Sequence, residues 1–267
     1  MARSAWLVVC AIMLFAAGPF AAGPARSAED VDVAIVLVSD VSRSVNDGEY
    51  KLQKEGYVAA FTSQQVINAI RGGALGVIAV AYVEFAGAGE VKTVLDWSVI
   101  RDRPSAEAFA SRLAGEPRSY WGRTAIGEGI ERGVQLLAES GVNPTRRVID
   151  VCGDGTSNSG RDVTEARDGA VGQGIIINAL AIINENPFPW AQAHVNPPGG
   201  LLNYFRENVV GGPGAFALEV RDFARFGEAM TRKLVLEIAG RTPDGPRFSW
   251  ERSRLDQVVL GAGNAVE

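Results

Sequence analysis

Apolar positions along the chain follow two patterns: short uninterrupted runs, and longer stretches in which apolar residues recur every three or four positions. The uninterrupted runs are typical of strands that are buried on both faces of a parallel sheet. They predict strands at 31–38, 74–87, 146–152 and 174–183, with a further short strand at 215–220. The alternating segment 90–100 predicts a short strand that pairs with 74–87 through the turn at Gly87–Gly89.

The stretches with helical spacing lie between these strands. They predict helices at 47–71, at 103–114, from Thr124 to a stop at Gly141, at 163–171, at 202–208 and at 223–234. Because strands and helices alternate, the pattern predicts a three-layer α/β sandwich with a mostly parallel sheet. Residues 184–200 form a loop that is too long to serve only as a connection.

The first 28 residues have the layout of a secretory signal peptide, with Arg3, an apolar stretch at 6–17 and a segment of small residues after it. We expect cleavage between Ala22 and Ala28, and a mature protein that is periplasmic or secreted and has no stable membrane insertion. The apolar stretch is short for a membrane span of about 20 residues. An uncleaved N-terminal anchor is the alternative.

After the signal peptide we expect one domain at 29–240 and a polar tail at 241–267, with a possible strand at 257–260. The formal net charge is −5 and there is no basic run, which argues against a nucleic-acid partner. Cleavage would remove Cys10 and leave Cys152 without an intramolecular disulfide partner. Cys152 lies in an apolar strand, and we expect it to be an inert core residue.

Oxygen-bearing side chains follow two of the predicted strands. "SDVSRS" places Asp40, Ser42 and Ser44 at alternate positions after the first strand, and Asp154 follows the strand at 146–152. Thr124 begins a helix whose start we expect at the same edge of the sheet, where sites form beyond the carboxyl ends of parallel strands. Carboxylates and hydroxyls without His or Cys suit a hard cation, Mg²⁺ or Mn²⁺. An open coordination position could then accept an outside carboxylate.

"DVSRS", the threonine of "GRTAIGEG" and the aspartate of "VCGDGTSNSG" resemble the metal-ion-dependent adhesion site of von Willebrand factor type A (vWA) domains. The similarity covers about residues 30–239, and the chain also resembles an uncharacterised secreted bacterial branch of that family, a domain of unknown function. The resemblance implies a doubly wound, Rossmann-like sheet with helices on both faces and one short antiparallel edge strand. It implies the metal ligands Asp40, Ser42, Ser44, Thr124 and Asp154.

These residues favour a non-enzymatic binding module that recognises a protein or peptide ligand through a carboxylate. We expect the rim of the site to present Trp121, Arg123, Trp190 and His194 to the partner, with the histidine a solvated or partner-facing loop residue. Two alternatives remain open. One is a metal-dependent hydrolase using the same ion, for which the sequence supplies no evident general base. The other is a structural scaffold with a vestigial site.

Single motifs also have plainer interpretations. Ser44 and Asp47 have the spacing of a capping box, and Asp154-Gly155 the composition of a turn. "GEGIERG", residues 127–133, faintly resembles a dinucleotide-binding glycine loop. It lies inside a predicted helix and does not follow a strand, so close helix packing is the better interpretation.

Overall fold

The computed structural model describes residues 28–185 and 187–243. The predicted signal peptide, apart from its last residue, and the possible strand at 257–260 lie outside the described residues. The described strands are β1 (Glu29–Asp40), β2 (Ile78–Phe85), β3 (Val91–Ile100), β4 (Val142–Gly153), β5 (Ile176–Ile183) and β6 (Ala217–Arg221). The described helices are α1 (Asp47–Thr62), α2 (Gln64–Arg71), α3 (Arg103–Gly115), α4 (Ile126–Ala138), α5 (Val163–Gly172), α6 (Gln192–Val195), α7 (Leu201–Asn208) and α8 (Phe226–Ile238).

The six strands form one sheet in the order β3-β2-β1-β4-β5-β6. All neighbouring pairs are parallel except β2 and β3, so β3 is an antiparallel edge strand. The order reverses direction between β1 and β4, and the crevice beyond the carboxyl ends of such a strand pair is where open α/β sheets bind ligands. The doubly wound α/β fold predicted from the sequence is therefore confirmed.

Both faces of the sheet are covered by helices, which explains the uninterrupted apolar runs. In β1, the side chains of Val33, Ile35 and Leu37 pack into a core with α1, α2, α3 and α8. The intervening residues of β1 pack into a second core with α4, α5 and α7. Each residue from Val33 to Val38 thus meets a helix layer on one face or the other. Within the described residues, no helix is both long and apolar enough to cross a membrane.

The single helix predicted at 47–71 is wrong, because the structure has two helices that meet at Ser63. The backbone of Ser63 is extended, and its hydroxyl accepts a hydrogen bond from the amide of Val66, which caps α2. Serine side chains compete with the helical backbone in this way, so an apolar spacing that continues across a serine does not guarantee one helix.

The glycines of α4 allow this helix to lie close to the sheet. A Cβ atom at Gly129 would come within 2.7 Å of Val38, and one at Gly133 within 2.9 Å of Ile149. The interpretation of "GEGIERG" as a close-packing helix segment is therefore confirmed. This contact matters for the site, because α4 begins two residues after Thr124.

A fully buried ion cluster lies between the sheet and α8. Lys233 Nζ is 2.5 Å from Asp150 Oδ1 and 2.6 Å from Glu237 Oε1, and all three side chains are completely buried. Asn178 donates a further hydrogen bond to Glu237. Burial, together with the negative charge of Asp150, raises the pKa of Glu237 to about 8. One lysine thus contacts two neighbouring acids and balances one negative charge, while Glu237 keeps its proton at pH 7.

We expect Lys233→Ala to destabilise the fold by about 3–5 kcal/mol, because it leaves two buried carboxyl groups without a counter-charge. Lys51→Ala is the control, since Lys51 forms an exposed pair with Glu55 and should cost less than about 1 kcal/mol. Urea unfolding of the two variants gives the comparison. Similar costs for both would show that Lys233 does not hold this cluster together.

Candidate metal centre

The loop after β1 turns so that alternate side chains point to one centre. Asp40 is the last residue of the strand, and its Oδ1 accepts a hydrogen bond of 2.7 Å from the amide of Ser42. The amide of Val45 donates to the carbonyl of Ser42, which completes the turn. Ser42 Oγ and Ser44 Oγ are consequently 3.1 Å apart.

Two further loops bring their side chains to the same point. Thr124 Oγ1 lies 3.0 Å from Ser42 Oγ, and Ser44 Oγ donates a 2.7 Å hydrogen bond to Asp154 Oδ1. The structure therefore brings together all five residues that the sequence nominated as ligands, none of them more than 3% exposed: Asp40, Ser42, Ser44, Thr124 and Asp154. They meet at the point where the strand order reverses, between β1 and β4.

The donor set fits a hard divalent cation. Asp40 Oδ2 and Asp154 Oδ2 are buried without a hydrogen-bond partner, and an unpartnered buried carboxylate oxygen is costly. The hydroxyl and carboxylate contacts at the site are 2.7–3.1 Å long. Adjacent oxygens around an octahedral ion with bonds of about 2.1 Å are about 3.0 Å apart. Among the described residues, including this site, no group of three or more His, Cys, Asp and Glu is arranged to hold a metal, so a cation here would depend on the hydroxyl ligands as well.

The two carboxyl groups are hard to ionise without a cation. Burial raises the pKa of Asp40 to about 6, although hydrogen bonds from Ser42 and the charge of Arg118 act in the opposite direction. Burial and the neighbouring charge of Asp40 raise the pKa of Asp154 well above its ordinary value. A divalent ion would remove this conflict, because its charge equals that of the two carboxylates together.

Arg118, which sequence reasoning missed, holds the loop after β1 in place. Its guanidinium donates hydrogen bonds to the carbonyls of Val41, Ser42 and Val45. Its planar group also stacks 3.6 Å from the ring centroid of Trp121. A planar guanidinium can donate in several directions at once, which a lysine cannot do as well. The sequence offered only a weak signal, an isolated cation six residues before Thr124.

Asn158 fixes the position of Thr124. The side-chain oxygen of Asn158 accepts a hydrogen bond of 3.0 Å from the backbone amide of Thr124. The backbone amide of Asn158 donates a hydrogen bond of 2.8 Å to the carbonyl of Thr124. Asn158 belongs to the loop that carries Asp154, so the loops after β4 and before α4 are joined directly. The three parts of the site are therefore held together before any cation is considered.

The geometry tests two further expectations from the sequence, the capping box at Ser44 and Asp47 and the buried position of Cys152. The capping box proposed for Ser44 and Asp47 is wrong, because Asn46 caps α1 and forms a capping box with Glu49. The hydroxyl of Ser44 instead donates to Asp154. Cys152 is a buried free cysteine, as expected.

The predicted rim residues lie around the site in two groups. Trp121 and Trp190 are 54% and 53% exposed, and Arg123 is also exposed. Trp190 stacks on Phe188, with 5.7 Å between ring centroids, and Arg43 lies 4.7 Å from the Trp190 ring. Exposed aromatic rings beside cationic groups are common contact residues of binding sites.

His194 does not occupy the solvated position expected of it. It is only partly exposed, and its Nε2 lies 3.2 Å from Thr124 Oγ1, at the site itself. Burial, with the positive charges of Arg123 and Arg43 nearby, lowers the pKa of His194, so its ring is neutral at pH 7. Sequence reasoning missed this contact because nothing in a 17-residue loop predicts which of its residues folds back.

A family model described as "protein of unknown function (DUF1194)" matches residues 30–242. The chain belongs to this family. Comparison with curated protein sequences finds no match at a significant level.

Solved structures share the vWA fold. Proximal thread matrix protein 1 from the mussel byssus is 19% identical, with a TM-score of 0.57 over 79% of this chain and 49% of its own. The pilus adhesin SpaC from Lactobacillus rhamnosus GG is 13% identical, with a TM-score of 0.54 over 80% of this chain and 31% of its own. A von Willebrand factor type A protein from Catenulispora acidiphila is 14% identical, with a TM-score of 0.53 over 78% and 43%.

The chain therefore spans about half of the mussel protein and less than a third of the adhesin. One structure of the mussel protein has a zinc-occupied MIDAS motif, the metal-ion-dependent adhesion site. At these identities the likeness shows the vWA-like fold, which the sequence motifs had indicated.

Asp40→Ala should abolish any rise in melting temperature caused by Mg²⁺ or Mn²⁺. For the unmodified protein we expect a stabilisation of about 2.7 kcal/mol when the cation exceeds its dissociation constant a hundredfold. In chelator the substitution should lower stability only slightly, or even raise it, because it relieves the repulsion between Asp40 and Asp154. Asp168→Ala, which removes an exposed carboxylate, should keep the full cation effect. If Asp40 were only a turn residue, its loss would cost about 0.5–2 kcal/mol in both buffers.

The cation effect should also depend on pH. Because the folded pKa of Asp40 is raised from 3.8 to about 6, protonated Asp40 contributes stability that is complete below about pH 4 and lost as pH rises through about 6. A cation competes with that proton, so the melting-temperature difference between Mn²⁺ and chelator should grow from about pH 5 to about pH 7. Glu237 also contributes to the pH dependence of stability, but it does so in both buffers, so its contribution cancels in the difference between Mn²⁺ and chelator. A difference that is constant with pH would contradict the assignment.

Proposed function

We propose that this protein is a non-enzymatic binding module that holds Mg²⁺ or Mn²⁺ and recognises a carboxylate of a protein or peptide partner. The cation would be bound by Asp40, Ser42, Ser44, Thr124 and Asp154. The observation that carries the proposal is the meeting of three loops around two buried, unpartnered carboxylate oxygens at the reversal of the strand order. We further propose that it acts in the periplasm or outside the cell.

The chemistry of the ligands supports an electrophilic cation. Only two of the five ligands carry charge, so the two carboxylates would balance the charge of a divalent ion without exceeding it. The three hydroxyls contribute oxygen atoms without adding charge. Such an ion can still attract an external carboxylate, as hard cations do.

The surroundings of the site favour an anionic partner. Arg43 and Arg123 lie beside it, and their positive charges add to the effect of burial in lowering the pKa of His194. Trp121 and Trp190 supply large exposed rings at the same edge. Positive charge would speed the encounter with an acidic ligand, and the rings would supply contact area.

The structural neighbours support the same class of function. One of them is a pilus adhesin, and another is a matrix protein whose MIDAS motif holds zinc. Because this chain spans less than half of each of these proteins, their partners are not transferred to it. Only the use of a strand-end cation for binding enters the proposal.

A metal-dependent hydrolase is the second candidate, and one observation favours it. His194 Nε2 lies 3.2 Å from Thr124 Oγ1, so a neutral ring nitrogen is available at the site. Such a group can act as a general base toward a metal-bound water. Turnover of phosphate esters or carboxylic esters that depends on both Mn²⁺ and Asp40 would favour this candidate over a binding module.

A peptide array tests the proposed function. The array holds pairs of peptides that differ only in Asp versus Asn or Glu versus Gln. We expect binding of acidic members in Mn²⁺, and loss of that binding in chelator or with Asp40→Ala. Equal binding of the acidic and amide members of a pair, or binding that persists in chelator, would contradict carboxylate recognition. A chain that binds no cation would be a scaffold with a vestigial site.

Trp121→Ala and Trp190→Ala should each weaken binding of a selected acidic peptide about tenfold, as expected for the loss of a contact ring at the centre of an interface. The affinity for Mn²⁺ should stay within a few-fold, because neither ring supplies a ligand. Leu75→Ala is the control, since Leu75 is 49% exposed and precedes β2, at the opposite edge of the sheet. Equal losses in all three variants would mean that the tryptophans do not form the contact surface.

A further inference from the structure

The only histidine of the chain contacts the candidate metal centre with one ring nitrogen and a separate pair of polar groups with the other. His194 Nε2 lies 3.2 Å from Thr124 Oγ1. On the far side of the ring, Nδ1 lies 3.0 Å from Thr156 Oγ1 and 3.1 Å from Asn158 Nδ2. The ring therefore bridges the site and the loop that carries Asp154.

We infer that His194 is a further ligand of the bound cation, supplied by the chain itself, which occupies a coordination position that a partner carboxylate must take over. This inference rests on the proposed function, because it uses the same cation site. It adds that the site favours borderline cations such as Zn²⁺, Co²⁺ or Mn²⁺ over Mg²⁺, since imidazole suits those ions and Mg²⁺ prefers oxygen.

The spacing of the donors is the first argument. Thr124 Oγ1 lies 3.0 Å from Ser42 Oγ and 3.2 Å from His194 Nε2. Both distances match the separation of about 3.0 Å between adjacent ligands of an octahedral ion. Five oxygen-bearing side chains and one ring nitrogen also make a set of six, the number that such an ion accepts.

The support behind the ring is the second argument. A histidine that ligates a metal usually donates its other N–H to an acceptor, which fixes the tautomer and the ring orientation. Thr156 Oγ1 can accept from Nδ1–H and leave the Nε2 lone pair facing the site. The opposite tautomer also fits the geometry, with Nδ1 accepting from Asn158 and Nε2–H donating to Thr124. A bound cation requires the first tautomer, so the two states can be told apart.

The third argument is that backbone contacts hold His194 in its position. The amide of Thr156 donates to the carbonyl of His194 at 3.1 Å. Gly155 lies directly against the ring, and a Cβ atom there would come within 2.1 Å of Nε2. Val195, the next residue, is completely buried and anchors the short helix α6. The ring is thus held at the site by neighbours on two loops.

Nuclear magnetic resonance of the single imidazole gives a direct test. In ¹⁵N-labelled protein made without a histidine tag, every imidazole signal belongs to His194. We expect Zn²⁺ to shift the Nε2 resonance strongly and to fix the tautomer with the proton on Nδ1. The same titration of Asp40→Ala should leave the imidazole resonances unchanged, because that variant lacks the oxygen ligands.

Cation selectivity gives the second test. His194→Ala should lower the affinity for Zn²⁺ and Co²⁺ at least about tenfold, the lower end of what even the loss of an outer partner of a ligand costs. The affinity for Mg²⁺ should change less than about threefold. Gln192→Ala is the matched control, because Gln192 is exposed on the same short helix. It should leave all affinities unchanged by calorimetric titration.

The outcomes separate this inference from the function on which it rests. Zn²⁺ binding that needs Asp40 but leaves the His194 resonances unmoved would overturn the inference and keep the metal-binding module. Equal loss of Zn²⁺ and Mg²⁺ affinity in His194→Ala would overturn it as well. Absence of any cation binding by the unmodified protein would remove the proposed function itself. Should His194→Ala fail to fold, the resonance experiment on the unmodified protein still decides.

Discussion

The structure depends on one electrostatic constraint, the burial of two carboxyl groups, Asp40 and Asp154, at the ends of adjacent parallel strands. Burial is the main cause of the raised pKa values of both groups, and the charge of Asp40 raises the pKa of Asp154 further. The neighbouring ligands are hydroxyls, which adds donors without adding charge. The guanidinium of Arg118 binds loop carbonyls and lowers the pKa of Asp40 only in part. The site is therefore held in a shape that a cation would stabilise.

The same strand β4 carries a second buried acid, and the comparison is informative. Asp150 and Glu237 share the ammonium group of Lys233 at 2.5 and 2.6 Å, so the fold supplies their counter-charge internally. Each of the four acids keeps one buried oxygen without a hydrogen-bond partner, but within the described residues no ion pair involves Asp40 or Asp154. The chain thus supplies a cationic group of its own to one buried acid pair and, in the part that the structure describes, none in ion-pair contact with the other. This contrast is the strongest structural reason to assign a cation to the site.

The sequence predicted the parts of this arrangement that local pattern controls. Apolar runs indicated the strands, and strand ends identified Asp40 and Asp154, because position in a parallel sheet determines which edge a strand end reaches. It could not predict contacts that depend on tertiary packing. Lys233 lies 83 positions after Asp150 in the chain and meets it only because α8 packs against the sheet. Arg118 contacts the loop after β1 from the segment that follows α3. Ser63 and Asn46 were missed for a local reason, since several polar residues near each helix end could have served as the cap.

The position of His194 joins the choice of cation to the choice of partner. Imidazole competes best for borderline ions, whereas a carboxylate competes best for hard ones. With Zn²⁺ bound, His194 would hold its position more strongly than with Mg²⁺, so an incoming acid would displace it less readily. Thermodynamic linkage makes the relation reciprocal: a partner that displaces the ring must weaken the preference of the site for borderline cations by the same factor. Trp190 lies on the same loop as His194 and stacks with Arg43. Displacement of the ring would therefore also move part of the surface that the partner contacts.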